Sequence, residues 1–276
     1  MESEHETNVN SFYSSGLEKT EIDDVWPLTY GYWLNENDTY DDAARQMWDK
    51  LYGSANIDGE SIVVVVAFGM GLELMYLYKN YRPKKIYGVD ITEEHVRKTR
   101  NLVEKEGLSD SIEIIHGSGT RLNEYIHEKV THVLCVEGTI QMDNRLGFYS
   151  SAYDILIDGG IFGFCDSCVK RYPNSYADAI FKSLISRMWL VPIENMQMVD
   201  EMVGNLNTLN YRIELAESFG DHVWIPYCNA KLKEFGNDVR KRGLLNAIGL
   251  FIINETLRFG CYLTDNIDYC IIIAIK

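Results

Sequence analysis

From residue 62 to residue 90 the chain passes from an unbroken apolar run to a helical period and back. Ile62, Val63, Val64, Val65 and Val66 are consecutive β-branched residues, the pattern of a strand buried on both faces. Gly69 and Gly71 follow, where a strand must turn sharply into a helix and let a ligand approach bare backbone. Leu74, Leu77 and Tyr81 recur near helical spacing and predict a helix over 72–81. Arg82-Pro83 ends it, because the residue before proline is held out of the helical region. Residues 86–89 predict a second strand closing on Asp90.

The same alternation runs on either side. Thr39, with Asp42 three positions later, opens a helix with a buried stripe of Ala44, Met47, Trp48 and Leu51, and Gly53 is its stop. Thr92 caps a helix to about Glu106, ended by Gly107. Strands are expected at 112–115, 133–136 and 161–165, with a helix over 146–156 closed by an Asp158-Gly159-Gly160 turn. Such alternation predicts a parallel sheet covered by helices on both faces. The rhythm breaks between Val169 and Asn210, a stretch with two prolines and the Met-rich run Met188, Met196, Met198 and Met202. A sixth strand is expected over 211–216, a helical region over 231–258, and a last strand over 269–275. Residues 1–20 are polar and acidic and read as a mobile tail, followed from Val25 by the aromatic group Trp26, Tyr30, Tyr32 and Trp33.

The second strand's terminal Asp90 stands nineteen positions after Gly71, where a βαβ nucleoside site places its acceptor for ribose hydroxyls. A dinucleotide fingerprint needs a third glycine where this chain has Leu74, and Glu73 in the first helical turn would repel a pyrophosphate. That argues against a nicotinamide oxidoreductase. The ligand expected is a nucleoside with a ribose and no phosphate, and S-adenosyl-L-methionine meets that description.

In these features the chain resembles the class I S-adenosylmethionine-dependent methyltransferases. The resemblance rests on Ala67-Phe68-Gly69-Met70-Gly71, on Asp90, on Gly117-Ser118-Gly119-Thr120 after the third strand and on Val136-Glu137-Gly138 at the fourth. Tyr30-Gly31-Tyr32-Trp33, Asp143-Asn144-Arg145 and Asp158-Gly159-Gly160 are similar to the subgroup that methylates small natural products. It implies a doubly wound Rossmann-like α/β fold, a seven-stranded, mostly parallel sheet with an antiparallel last strand and a helical lid. Residues 1–53 would be a tail and lid helices, and 54–276 the cofactor domain with a lid insertion at about 170–210. The chain departs from the family at Val65, Ala67, Ser118 and Gln141, where members carry an acidic residue, glycine, aspartate and histidine.

The expected cofactor contacts follow from that frame. Asp90 would hold the ribose, Ile91 would lie on the adenine, and Ser118 and Gly119 would meet its edge. Gly69 and Gly71 would admit the methionine portion, with Tyr32 in the aromatic lid over its end, and Ala67, Phe68 and Gly138 complete the expected cofactor contacts. Glu137 would orient the methionine amino group or serve as an acceptor-side base. Gln141 would orient the acceptor, and His222 is the remaining candidate for a base. His116 reads as structural, and His5, His95, His127 and His132 as surface residues.

Composition narrows the partners. A net charge of −15 argues against nucleic acid and against an anionic membrane surface. Arg240-Lys241-Arg242 reads as a solvated helix end. Six cysteines, mostly inside expected strands, read as reduced thiols of a cytoplasmic protein. Cys165 and Cys168 have redox spacing, but no second pair supports a metal site. No run approaching the roughly 20 apolar residues of a membrane span is expected. The predicted activity is methyl transfer to O, N or C of a small-molecule acceptor, hydrophobic or aromatic in character, with a homodimer as the candidate assembly. The alternative is the same fold binding the cofactor for a non-methylating step such as cyclisation, or only binding ligand.

Overall fold

The chain opens with α1 (Glu4–Ser14) and α2 (Tyr40–Ser54), then alternates through β1 (Ile62–Val66), α3 (Leu72–Tyr81), β2 (Lys85–Asp90), α4 (Glu93–Lys105) and β3 (Ile112–His116). A short α5 (Leu122–Tyr125) leads to β4 (Val130–Val136), α6 (Arg145–Ile155) and β5 (Leu156–Val169). The remainder is α7 (Tyr176–Met188), α8 (Val199–Thr208), β6 (Arg212–Ser218), α9 (Trp224–Lys233), α10 (Phe235–Arg242), α11 (Leu244–Thr264) and β7 (Ile267–Ile275). This computed structural model describes residues 3–15, 17 and 20–276, with the side chains of 241–242 and 262–264 outside the description.

The seven strands stand in the order β3-β2-β1-β4-β5-β7-β6. Neighbours from β3 through β5 are parallel, and β7 runs antiparallel to both β5 and β6. Strand order therefore reverses between β1 and β4, which opens a crevice beyond their carboxyl ends. Along β1, Val63 and Val65 pack into one core, and Val64 and Val66 into the other. A strand covered on both faces has no solvent side to mark with polar residues, which is why its sequence is an unbroken run.

Several expectations change. The supposed tail forms α1, started by a capping box in which the Ser3 hydroxyl and the Glu6 carboxylate exchange hydrogen bonds with each other's backbone N–H. Asp158-Gly159-Gly160 lies inside the long β5, where Gly159 takes φ +77 and donates to the Lys276 carbonyl at 3.0 Å. The C-terminal helical region is three helices, with Gly243 at φ +81 between the last two. Among the described residues, α11 is the one helix long and apolar enough by length and composition to cross a membrane. The sequence reading missed that length because Asn246, Asn254, Glu255 and Arg258 punctuate it.

The six cysteines are free thiols, and Cys165 and Cys168 pack into opposite cores from β5. Arg240 is exposed, while the side chains of 241 and 242 lie outside the description. His132 is buried rather than on the surface, with Nε2 2.9 Å from the Ala55 carbonyl and Nδ1 2.7 Å from Thr131 Oγ1.

Candidate active site

The crevice between β1 and β4 is walled by backbone in conformations that side chains normally avoid. Ala67 leaves β1 at φ +60, and Glu137 leaves β4 at φ +59. Left-handed non-glycine residues are uncommon and gather at functional sites. The two loops touch, since a Cβ on Gly138 would lie 2.5 Å from that of Ala67. Gly69, at φ +58, brings its N–H to within 3.0 Å of Asp90 Oδ2.

Asp90, 5% exposed, has more to do than hold a ligand. Its Oδ1 accepts the Thr92 N–H at 2.8 Å and lies 3.3 Å from His95 Nδ1. Asp90, rather than Thr92, therefore caps the start of α4, for Thr92 makes no side-chain cap hydrogen bond. A carboxylate has about four acceptor sites, so Oδ2, with only Gly69 N–H on it, keeps a lone pair toward the crevice. His95 is buried, and its Nε2 has no hydrogen-bond partner.

A cavity of about 770 Å³, its open mouth included, lies over these strand ends. Of the residues expected to bind cofactor, Ala67, Gly69, Asp90, Ile91, Ser118, Gly119, Glu137 and Gly138 line it, as does Gln141. Three others are placed elsewhere. Phe68 is buried in the core beside Gly88. Gly71 begins α3 at φ +83, where a Cβ would stand 2.7 Å from Thr99 Oγ1, so it serves the packing of α3 on α4. Tyr32 packs edge-on to Phe219 and against His222, away from the cavity.

His222 corrects the choice of base. It is exposed, its Nδ1 lies 3.1 Å from the Trp33 carbonyl, and it lines neither large cavity. Glu73 also differs from expectation. It turns away from the crevice to accept the Tyr52 hydroxyl, and burial pushes its carboxyl up to about 8. It is therefore no charged repeller of phosphate.

Sequence reasoning missed the roof. His5, Glu6, Val9 and Tyr13 of α1 line the cavity. His5 Nε2 is 2.7 Å from the Gln141 carbonyl, the Tyr13 hydroxyl donates to Gln141 Oε1 at 2.9 Å, and Glu6 lies 3.5 Å from Arg121. The signal was present: Ser3 followed three residues later by Glu6 is a capping box. Leu28 also lines the cavity and would lie 3.2 Å from a Cβ on Gly69.

A second cavity, of about 1290 Å³ with its mouth, adjoins the first. The two share Tyr13, Leu28, Glu137 and Gln141. Aromatic rings dominate its inner wall: Tyr30 lies 4.7 Å from Trp224 and 5.0 Å from Tyr227, centroid to centroid. Its outer wall comes from α7 (Phe181, Ile185) and α11 (Leu257).

At the junction, Glu137 accepts from Thr29 Oγ1 at 2.8 Å, Tyr30 N at 2.9 Å and the Tyr269 hydroxyl at 2.7 Å. Burial nevertheless outweighs these donors and pushes its carboxyl up to about 8. Asp166, also raised by burial, accepts from Thr139, Ile140 and Ser167. Gln141 is held at both ends of its amide, since its Nε2 also donates to the Trp189 carbonyl at 2.6 Å.

The lining of the first cavity fits S-adenosylmethionine and not a diphosphate. It holds four carboxyl groups (Glu6, Asp90, Glu137, Asp143) and neither lysine nor arginine. Such a field favours a sulfonium and an ammonium.

A methyltransferase domain model matches residues 64–164. The erythromycin 3''-O-methyltransferase of Saccharopolyspora erythraea is 27% identical over 214 residues, 75% of this chain and 70% of that protein. Among solved structures, a cyclopropane synthase of Mycobacterium tuberculosis aligns over 99% of this chain and 98% of its own, with a TM-score of 0.78 and 12% identity. The geranyl diphosphate C-methyltransferase of Streptomyces coelicolor aligns over 99% and 98%, with a TM-score of 0.72 and 13% identity. The matched domain and the curated relative are methyltransferases, which does not favour a fold kept only for ligand binding or cyclisation. Residues 64–164 thus carry a methyltransferase domain, and the chain is similar to S-adenosylmethionine-dependent methyltransferases.

Proposed function

We propose that the enzyme methylates a hydroxyl oxygen of a largely apolar natural product held in the second cavity. The observation that carries this reading is the junction: two cavities meet at Tyr13, Leu28, Glu137 and Gln141, and Glu137 is the titratable carboxyl there. When bound, the cofactor supplies a sulfonium methyl activated for in-line displacement. Alignment and exclusion of water are what the chain adds. Asp90 Oδ2 would accept from the ribose, Ile91 would lie on the adenine, and Ser118 with Gly119 would meet the adenine edge. The bare backbone at Gly69 and Gly138 leaves room for the methionine portion. Glu137 takes the proton that the acceptor hydroxyl sheds. Gln141 ties Tyr13 of the roof to Trp189 of the opposite wall. The Saccharopolyspora relative is an O-methyltransferase, which supports oxygen as the methylated atom.

The test is a labelled-methyl assay with hydroxylated macrolides and terpenoid alcohols, read by mass spectrometry. A labelled methyl ether is expected. Donor binding with no label in any acceptor, or label on carbon or nitrogen, would overturn the reading.

A further inference from the structure

Among the described residues in the wall of the second cavity, Asn266 carries a fully buried polar atom that the fold leaves unpaired. Asn266 is 4% exposed and lines the cavity, and its Oδ1 has no hydrogen-bond partner. Of the ionisable groups in the same cavity, Glu137 accepts from Thr29, Tyr30 and Tyr269, Asp166 accepts from Thr139, Ile140 and Ser167, and Lys182 lies over the Tyr172 ring. Val169, Leu257 and Ile267 make the wall around Asn266 apolar. An unpaired amide oxygen among apolar side chains is costly and calls for a partner from elsewhere.

Its position gives a length. The Lys170 N–H donates to the Asn266 carbonyl at 2.8 Å, so Asn266 sits opposite Lys170, just past the end of β5. Asp166 lies four residues earlier on that strand and beside the Glu137 junction. Four residues of strand span about 13 Å.

We infer that Asn266 is the specificity-determining anchor for the acceptor, which is an apolar molecule with a second hydroxyl on the order of 10 Å from the methylated one, the strand span less the hydrogen bonds at its ends. A hydroxyl both donates and accepts, so it satisfies whichever end of the amide faces the cavity. The terminal torsion of asparagine is soft, and a small turn brings either end to the ligand. This inference rests on the second cavity being the acceptor site of the methyltransferase.

The experiment uses a rigid steroid diol, estradiol, and its 17-deoxy analogue as probes. Each is titrated into the full chain saturated with S-adenosylhomocysteine and followed by tryptophan fluorescence, since Trp189 and Trp224 line the cavity. The wild type is expected to bind the diol at least about fivefold more tightly than the deoxy compound, as one buried hydrogen bond implies. Asn266→Leu should bind both compounds alike and melt at the same temperature or higher, because it removes an unpaired polar group. Three results overturn the inference: a wild type indifferent to the second hydroxyl, a preference that survives in N266L, or a lowered melting temperature in N266L showing that Asn266 is structural. Failure to bind either steroid while still binding S-adenosylhomocysteine overturns the acceptor class. Failure to bind S-adenosylhomocysteine counts instead against the methyltransferase reading itself.

Discussion

Asp90 and Glu137 are both buried carboxyls at strand ends, and their surroundings divide the work between them. Asp90 is held by two backbone N–H groups and the His95 ring, so it meets a ligand already oriented. Asp90→Ala should weaken S-adenosylhomocysteine by about 10- to 100-fold in calorimetry, the range for hydrogen bonds to a charged group. His95→Ala should weaken it less, since that ring touches the carboxylate only at 3.3 Å. An Asp90→Ala protein that folds and binds with unchanged affinity would remove the ribose assignment. Glu137, raised from the usual carboxylate range to about 8 by burial, holds its proton at neutral pH and loses it as pH rises through that value. The methylation rate should therefore climb with pH and level off above about 8. Glu137→Gln should lose about 100-fold or more and abolish that rise, while cofactor affinity changes little. A rise that persists in the glutamine variant would assign the proton to another group. The same shift has a cost for the fold: between about 4.5 and 8 the native state keeps a proton that the unfolded chain has released, so this group's contribution to stability falls across that window. Asp90 was legible in the sequence because its place is fixed by chain distance from a glycine turn. His5, His95 and Tyr13 were not, because their roles depend on which elements fold over the crevice.

Among the elements, the strands were legible and the roof was not, for one physical reason. A strand buried on both faces writes its identity into an unbroken apolar run, and 62–66 was read to the residue. A short helix over a polar cavity has no apolar stripe to show, and α1 buries only Glu6 and Val9. Gly71 marks where reading by motif misassigns a residue whose importance is real. It belongs to the glycine loop, yet it faces Thr99 of α4 and lines neither large cavity. Gly71→Ala would put a Cβ against that threonine and hold an L-residue at φ +83. A loss of about 2 kcal/mol is expected, from strain at a left-handed position and overpacking together. Thermal melts should show it as a drop of a few degrees, with cofactor affinity of the folded fraction close to wild type. A Gly71→Ala protein as stable as wild type but unable to bind cofactor would return Gly71 to the binding site. Gly260 plays the matching part between α11 and α7, where a Cβ would run into the Phe181 ring that lines the acceptor cavity.

For the molecule as a whole, the sheet's strand order places the first cavity, proposed for the donor, and the helices of the second half help to wall the second, proposed for the acceptor. The first was foreseeable from alternation alone. The second gathers residues from 12 to 267 that no period in the sequence connects. Charge links the two scales. The chain carries −15 overall, and the donor cavity is lined by carboxyl groups with no lysine or arginine. Arg121 lies beside Glu6 at 3.5 Å and offsets part of that field, and Glu137 is neutral below about 8, which leaves Asp90 and Asp143 as the main local sources. S-adenosylmethionine carries one more positive charge than S-adenosylhomocysteine, on the sulfur, and the two are otherwise alike in what they offer the cavity. Salt screens that extra charge, because the Debye length shrinks from about 10 Å at 0.1 M to about 3 Å at 1 M. The affinity of S-adenosylmethionine should therefore fall several-fold between 0.05 and 0.5 M sodium chloride, and that of S-adenosylhomocysteine by clearly less, values chosen to span about a threefold change in screening length. Calorimetric titration of both ligands at the two salt concentrations measures the difference directly. If the two ligands lose affinity in parallel, the acidic lining does not recognise the sulfonium, and the cavity holds its ligand through ribose and adenine alone.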